Sequence, residues 1–307
     1  MSDSDCLPNL YNRSSRALPK YFDVRPSSVP RWVKDDFDLR VEDVEFLHQI
    51  SLHGGLVDIY VLKNVMAWGH NKTYARLRYL QTANYITRHT KPMFHVAGET
   101  AAAIYMLGEK AGRLLAAVHG GNPTDYLHKR IKRNTSLAKA DHAVELAHVQ
   151  NRIQQSAKES GCEIVQWLGD SQLHSMLHRV KSVTIPDGYF VLRLASGRLM
   201  YFFVELDRNV VDHVPKWTRK CNGYLGMLQG SFVQRFNPDD ERKAFRLLTI
   251  SHTDKHNSKI AEVCGRVIPL SYQKLFLFTT LPIARAGNVF NSPMWLGLGQ
   301  KETTTLI

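Results

Sequence analysis

The sequence contains no long apolar run, and nothing in its 307 residues approaches the ~20 consecutive apolar side chains that a membrane-spanning helix requires. Residues 1–10 carry acidic groups and no apolar stretch, so they do not read as a secretory signal. Cysteine is scarce. Cys6, Cys162, Cys221 and Cys264 stand far apart, with no pair at zinc-ligand or redox-motif spacing, and are expected as ordinary reduced thiols of a cytoplasmic protein. There is no internal repeat and no His-apolar-His triplet of the kind a tyrosine relaxase uses to hold metal. The pairs His174/His178 and His252/His256 have helical i, i+4 spacing but lack the intervening Glu of a zinc protease, and are expected as surface or core histidines. Acidic side chains are also in deficit: 28 Asp and Glu face 40 Lys and Arg, a formal net charge of +12. Such a surplus favours a polyanionic partner, and without a membrane segment nucleic acid is the better reading.

What is present falls into five stretches. Residues 1–40, with Pro8, Pro19, Pro26 and Pro30, read as a flexible lead-in. Residues 41–118 read as a winged helix-turn-helix. A first helix over 42–52 buries Val44, Leu47 and Ile50 and stops at Gly54-Gly55. Asp58 caps a second helix bearing Val61, Leu62, Val65 and Met66, and Asn71 is expected to cap a third. That third helix buries Thr73, Leu77 and Leu80, while Lys72, Arg76 and Tyr79, with Tyr74 and Arg78 on the adjoining row, make the opposite face cationic and aromatic. A recognition helix needs this division, because its exposed side must offer donors to phosphates and base edges. Strands over 85–88 and 103–107 then flank a wing loop holding His89, Lys91 and His95, and a helix from Gly108 closes the module. The expected DNA-facing groups are Lys72, Arg76, Arg78, Tyr79, Arg88 and Lys91, joined by Lys129, Arg130, Lys132 and Arg133 in a basic linker over 119–135.

Residues 136–284 read as an α/β domain with a central mixed sheet, and 285–307 as a loose tail. Pro186-Asp187-Gly188 leads into an apolar strand. After the Ser196-Gly197 turn comes a second, Met200 to Val204, apolar enough to lie inside a sheet, which runs into Glu205-Leu206-Asp207. Glu205 and Asp207 share one side of that strand, where two carboxylates need a cation for compensation. Pro-Asp, a spacer, then an acid, any residue and Lys is the pattern of restriction-endonuclease-like folds. Here Asp207 occupies the lysine position, and Lys216 or Lys220 on the next helix is the candidate substitute. Asp187 and Glu205 are the candidate ligands for Mg or Mn, with Asp207, Lys216 and Lys220 completing the candidate catalytic set.

With these residues in place, the chain resembles the replication-relaxation protein family of plasmids and other mobile elements, from about Val41 to Trp295. The resemblance rests on Arg76-Leu77-Arg78-Tyr79-Leu80, on Tyr105-Met106-Leu107-Gly108-Glu109-Lys110-Ala111-Gly112 and on Pro186-Asp187. It continues through Phe202 to Arg208, Lys220 with Tyr224, Leu275 to Leu281, and Ser292-Pro293-Met294-Trp295. It implies a winged helix joined to a nuclease-like α/β domain, and a role in replication, DNA relaxation or mobilisation of an extrachromosomal element. Three readings follow. The first is a duplex-DNA-binding protein without catalysis, the second a Mg-dependent nicking endonuclease, the third a winged-helix transcriptional regulator. Replication or mobilisation proteins are expected partners, and a homodimer on a palindromic site is an alternative assembly.

Overall fold

The computed structural model describes residues 39–89, 103–127, 137–177, 184–208, 213–230 and 244–307. The chain divides into two units, at Ala147/His148.

In the N-terminal unit, α1 (Val41–Leu52), β1 (Leu56–Asp58), α2 (Ile59–Met66) and α3 (His70–Thr82) precede an antiparallel pair, β2 (Ile86–His89) and β3 (Ile104–Leu107), and then α4 (Glu109–His119). Gly54 and Gly55 turn the chain out of α1 at φ +82° and +79°, where a side chain would be strained. Asp58 caps α2 by accepting from the Tyr60 and Val61 amides. The α3 cap differs from expectation: the helix starts two residues early, and Gly69 stands at its N-cap in place of Asn71. The sequence reading also lacked β1, which pairs with β3 and makes that strand the middle of three. Val44, Phe46, Leu47, Ile50, Leu77, Leu80, Tyr85 and Leu115 fill the core. Thr73, Leu77 and Leu80 are the buried row of α3, as their spacing predicts.

A 3₁₀ turn, Pro123–Tyr126, folds back onto α4 so closely that a Cβ on Gly112 would meet the Pro123 carbonyl at 2.6 Å. His119, at the end of α4, stacks on His48 of α1 with ring centroids 4.1 Å apart. Burial depresses both imidazoles, His48 to about 3 with help from His119, and His119 to about 4. The helix α5 (Leu137–Glu159) contains the division between the units. That is later than the expected boundary at 119–135, because Ala143, Val144 and Ala147 pack against the N-terminal unit's apolar residues. Lys129, Arg130, Lys132, Arg133 and Lys91 lie outside the described residues, as do most of the lead-in and most of the wing loop.

In the C-terminal unit the end of α5 precedes β4 (Glu163–Gly169), α6 (Asp170–Leu177), β5 (Gly188–Arg193), β6 (Leu199–Asp207), α7 (His213–Gln229), β7 (Arg246–Ser251), α8 (Asp254–Val267) and β8 (Phe276–Thr280). A short helix α9 (Leu281–Ala286) and the strands β9 (Trp295–Gly297) and β10 (Thr303–Thr304) follow. They form one seven-stranded mixed sheet in the order β10-β9-β8-β7-β6-β5-β4. The strands β4, β5 and β6 are an antiparallel meander, and β6, β7 and β8 run parallel. Parallel neighbours require crossovers, which α7 and α8 supply. Phe202, Phe203 and Val204 of β6 are wholly buried on alternating faces, as a continuous apolar run inside a sheet demands. The expected loose tail is not loose. Val289, Phe290, Met294, Trp295 and Leu306 are buried, and the Trp295 indole donates to the Val289 carbonyl at 2.7 Å. Short strands among Gly, Asn and Pro give too little periodicity to be read as sheet, and the large aromatics are what fix them.

Candidate functional site

Two clusters of charge qualify. The first lies on α3, whose buried row fixes the helix so that Asn71, Lys72, Tyr74, Arg78 and Gln81 face solvent. The expected DNA-facing residues separate into two groups. Arg78 and Arg88 are exposed and form no ion pair among the described residues; Arg88 stands opposite Tyr105 in the β2–β3 ladder. Arg76 instead turns inward. Its Nε donates to Asp43 Oδ1 at 2.7 Å, its Nη2 reaches Oδ2, and Asp43 is completely buried on α1. Tyr79 lies beneath that guanidinium, 4.5 Å from ring centroid to Cζ, so it is occupied as well. Lys72 is intermediate, paired with Glu42 at 3.1 Å and lying over the Trp68 ring. Sequence reasoning missed the group beside it. Lys63 Nζ lies 2.9 Å from His70 Nδ1, and the His70 ring packs on Tyr74 at 4.5 Å. The i, i+4 spacing of His70 and Tyr74 on a helix was the available signal.

The second cluster gathers at the far ends of β5 and β6. Asp187, at the entry to β5, accepts from the Leu206 amide at 2.8 Å, which ties it to the strand bearing Glu205 and Asp207. Glu205 has no exposed surface. Lys220 donates to its Oε2 and Tyr224 to its Oε1, both from α7. Two residues on, Asp207 accepts from Lys216 Nζ at 2.9 Å and from the Trp217 indole, with His256 Nε2 3.7 Å from Oδ1. The donors follow from helical spacing. Lys216, Lys220 and Tyr224 are successive i, i+4 positions, so one row of α7 meets one face of β6. Among them, Trp217 and Tyr224 had no place in the sequence-derived set. Lys220 and Lys216 were alternatives there, and the fold uses both, one per carboxylate.

Burial pushes the Glu205 carboxyl up to about 7, and nearby Asp187 adds to the rise, while Lys220 opposes it. The same two acids hold the Lys220 ammonium above its usual range against the pull of burial. Tyr224 is driven well above the ordinary phenol value by burial and by Glu205, which keeps it a proton donor to the carboxylate. Among the described residues, three carboxylates and two ammonium groups therefore meet in one network, in which Glu205 and Asp207 are buried. As arranged, these residues do not fit a divalent ion. Both oxygens of Glu205 and both of Asp207 already accept from side chains, and an ammonium occupies the approach to Glu205 Oε2. Among the described residues, no three His, Cys, Asp or Glu side chains are grouped so as to hold a metal.

No curated protein and no solved structure matches the chain. A family model described as replication-relaxation matches residues 55–238, from the end of the α1–β1 turn past the end of α7, and so takes in α3 and the residues from Asp187 to Tyr224. That match covers more than half of the 307 residues, and the chain belongs to the replication-relaxation family.

Proposed function

We propose that this protein binds duplex DNA in the replication, relaxation or mobilisation of a plasmid or other mobile element. In this reading the N-terminal unit is a winged helix, with α3 as its recognition helix and the β2–β3 pair carrying the wing. The observation that carries it is the outward row of α3. Asn71, Tyr74 and Arg78 present donors and an aromatic ring without acidic partners among the described residues, on a helix whose opposite row is locked into the core. The net charge of +12 supplies a sequence-independent attraction to phosphate. A duplex titration tests it: Arg78→Ala should weaken binding by roughly five-fold or more and lower the salt dependence. Equal affinity for duplex and unrelated polymers, with no salt dependence, would end the reading.

A second reading, metal-dependent nicking, is favoured by one observation: Asp187, Glu205 and Lys220 converge on the carboxyl end of β6. The order of α5, the three-strand meander, α7 and parallel β7 supports a restriction-endonuclease-like core. Asp187 and Glu205 would hold Mg or Mn only with Lys220 and Tyr224 displaced, so binding without cutting is the function the geometry supports best. Supercoiled plasmid incubated with Mg or Mn decides between them. DNA that stays supercoiled, with Glu205→Ala binding as well as the parent, removes nicking. Nicked product that disappears in Glu205→Ala establishes it.

A further inference from the structure

The spacing of the four cysteines gives no pair, yet the fold brings two of them into contact. Cys221 lies on α7 and Cys264 on α8, 43 positions apart in sequence, and both are completely buried. The two helices are the successive crossovers of the parallel strands and pack into the same apolar core, which also contains Trp217, Tyr224, Ile260 and Val263. The Cys221 thiol is directed at Cys264 with the sulfurs 3.3 Å apart. A disulfide places them about 2.05 Å apart, so roughly 1.3 Å of approach separates contact from bond. The contact with Cys221, together with burial, pushes the Cys264 thiol far up, so Cys264 rests protonated.

We propose that Cys221 and Cys264 are an oxidation site: a dithiol that hydrogen peroxide converts to a disulfide cross-linking α7 to α8. In the first step one cysteine sulfur, deprotonated, attacks a peroxide oxygen. The O–O bond breaks, hydroxide leaves and takes a proton to become water, and the sulfur is left as a sulfenic acid. The second sulfur then attacks the first, the S–O bond breaks, and the hydroxyl departs with the second thiol proton as another water. Two thiols and one peroxide give one disulfide and two waters, with two electrons passing from sulfur to oxygen. The contact between the sulfurs means that the sulfenic acid is captured before a further peroxide can reach it. Because neither sulfur is exposed, the first step waits on local opening, and the site reacts more slowly than the half-buried Cys162. Once formed, the bond closes a loop of 43 positions and fixes the helix that carries Lys220 and Tyr224 to Glu205. The proposal is independent of what the protein does to DNA.

The test uses the full chain, oxidised with hydrogen peroxide, quenched, then alkylated with iodoacetamide in guanidinium and mapped by proteolysis without reductant. The expected result is a loss of about 2 Da at this pair and one peptide joining Cys221 to Cys264, both reversed by dithiothreitol. The unfolding temperature of the oxidised form should rise by roughly 5 °C. A Cys6→Ser/Cys162→Ser variant should behave identically, and Cys264→Ala should lose the linked peptide. Full alkylation of Cys221 and Cys264 after peroxide treatment, separate sulfinic or sulfonic acids on the two, or linkage to Cys6 or Cys162 would each overturn the proposal.

Discussion

Each unit buries a carboxylate against a cation from a helix, and the two burials do opposite work. In the N-terminal unit, Asp43 has no exposed side chain and Arg76 keeps 13% of its own; in the C-terminal unit, Glu205 has none and Lys220 keeps 17%. The burial is nearly the same, but the surroundings differ. Arg76 meets Asp43 as a two-pronged fork, and the Arg40 amide supplies a further donor at 2.8 Å, so one charge answers one charge. Glu205 instead shares its neighbourhood with Asp187 and Asp207, and among the described residues two lysines face these three acids. A balanced pair fixes the packing of α1 against α3. In the C-terminal unit burial, with the nearby Asp187 charge adding to it, holds the Glu205 carboxyl near 7 against the pull of Lys220.

The largest effect expected from breaking this comparison is at Arg76. Arg76→Ala leaves Asp43 buried and unpaired and should cost about 3–5 kcal/mol, read as a lower unfolding midpoint in denaturant. If DNA affinity fell while stability held, Arg76 would be a contact and not a strut. Next comes Lys220→Met, expected to cost about 2–4 kcal/mol at pH 8 and much less at pH 5, where Glu205 takes a proton instead. Adding Glu205→Gln to Lys220→Met should restore most of the loss at pH 8.

The pH dependence sharpens the contrast, because the units should respond in opposite directions. Glu205 has a folded value of about 7, above its ordinary 4.5. Its contribution is therefore complete below about 4.5 and lost as pH rises through 7. His48 and His119 are depressed from 6.5 to about 3 and about 4, so their contribution holds above 6.5 and is lost as pH falls through those values. Hydrogen exchange mapped along the full chain should show protection near β6 and α7 decreasing from pH 5 to 8. Over pH 6.5 to 4, protection near α1 and α4 should decrease. Parallel trends in the two units would refute the assignment. The smallest effect is at Arg78: Arg78→Ala should leave stability within about 0.5 kcal/mol, measured by the same denaturant midpoint.

The sequence alone disclosed what depends on short spacing. The apolar row of α3, the cap at Asp58, and the placing of Glu205 and Asp207 on one side of a strand all follow from periods of 3.6 or 2. It did not disclose what depends on partners far along the chain. Nothing near Arg76 says that Asp43, 33 residues earlier, will draw the guanidinium inward, and an exposed cationic face looks the same without it. Likewise Lys216 and Lys220 compete as candidates until the register of α7 on β6 assigns one to each acid. The strand that carries Trp295 was hidden for a different reason: it is three residues long, too short for any period to show.

The parallel arrangement of β6 and β7 also bears on how the protein is made. The carboxylates and both lysines are encoded between residues 187 and 220, but β7, which completes the inner side of β6, begins only at Arg246. A ribosome that has delivered α7 has therefore released a nine-residue, strongly apolar strand whose Phe202-to-Asp207 edge has no partner. Such an edge invites pairing with other chains. Release of residue 251 from the ribosome lets β7 close it, so slow translation or truncation between α7 and β7 should show up as aggregation.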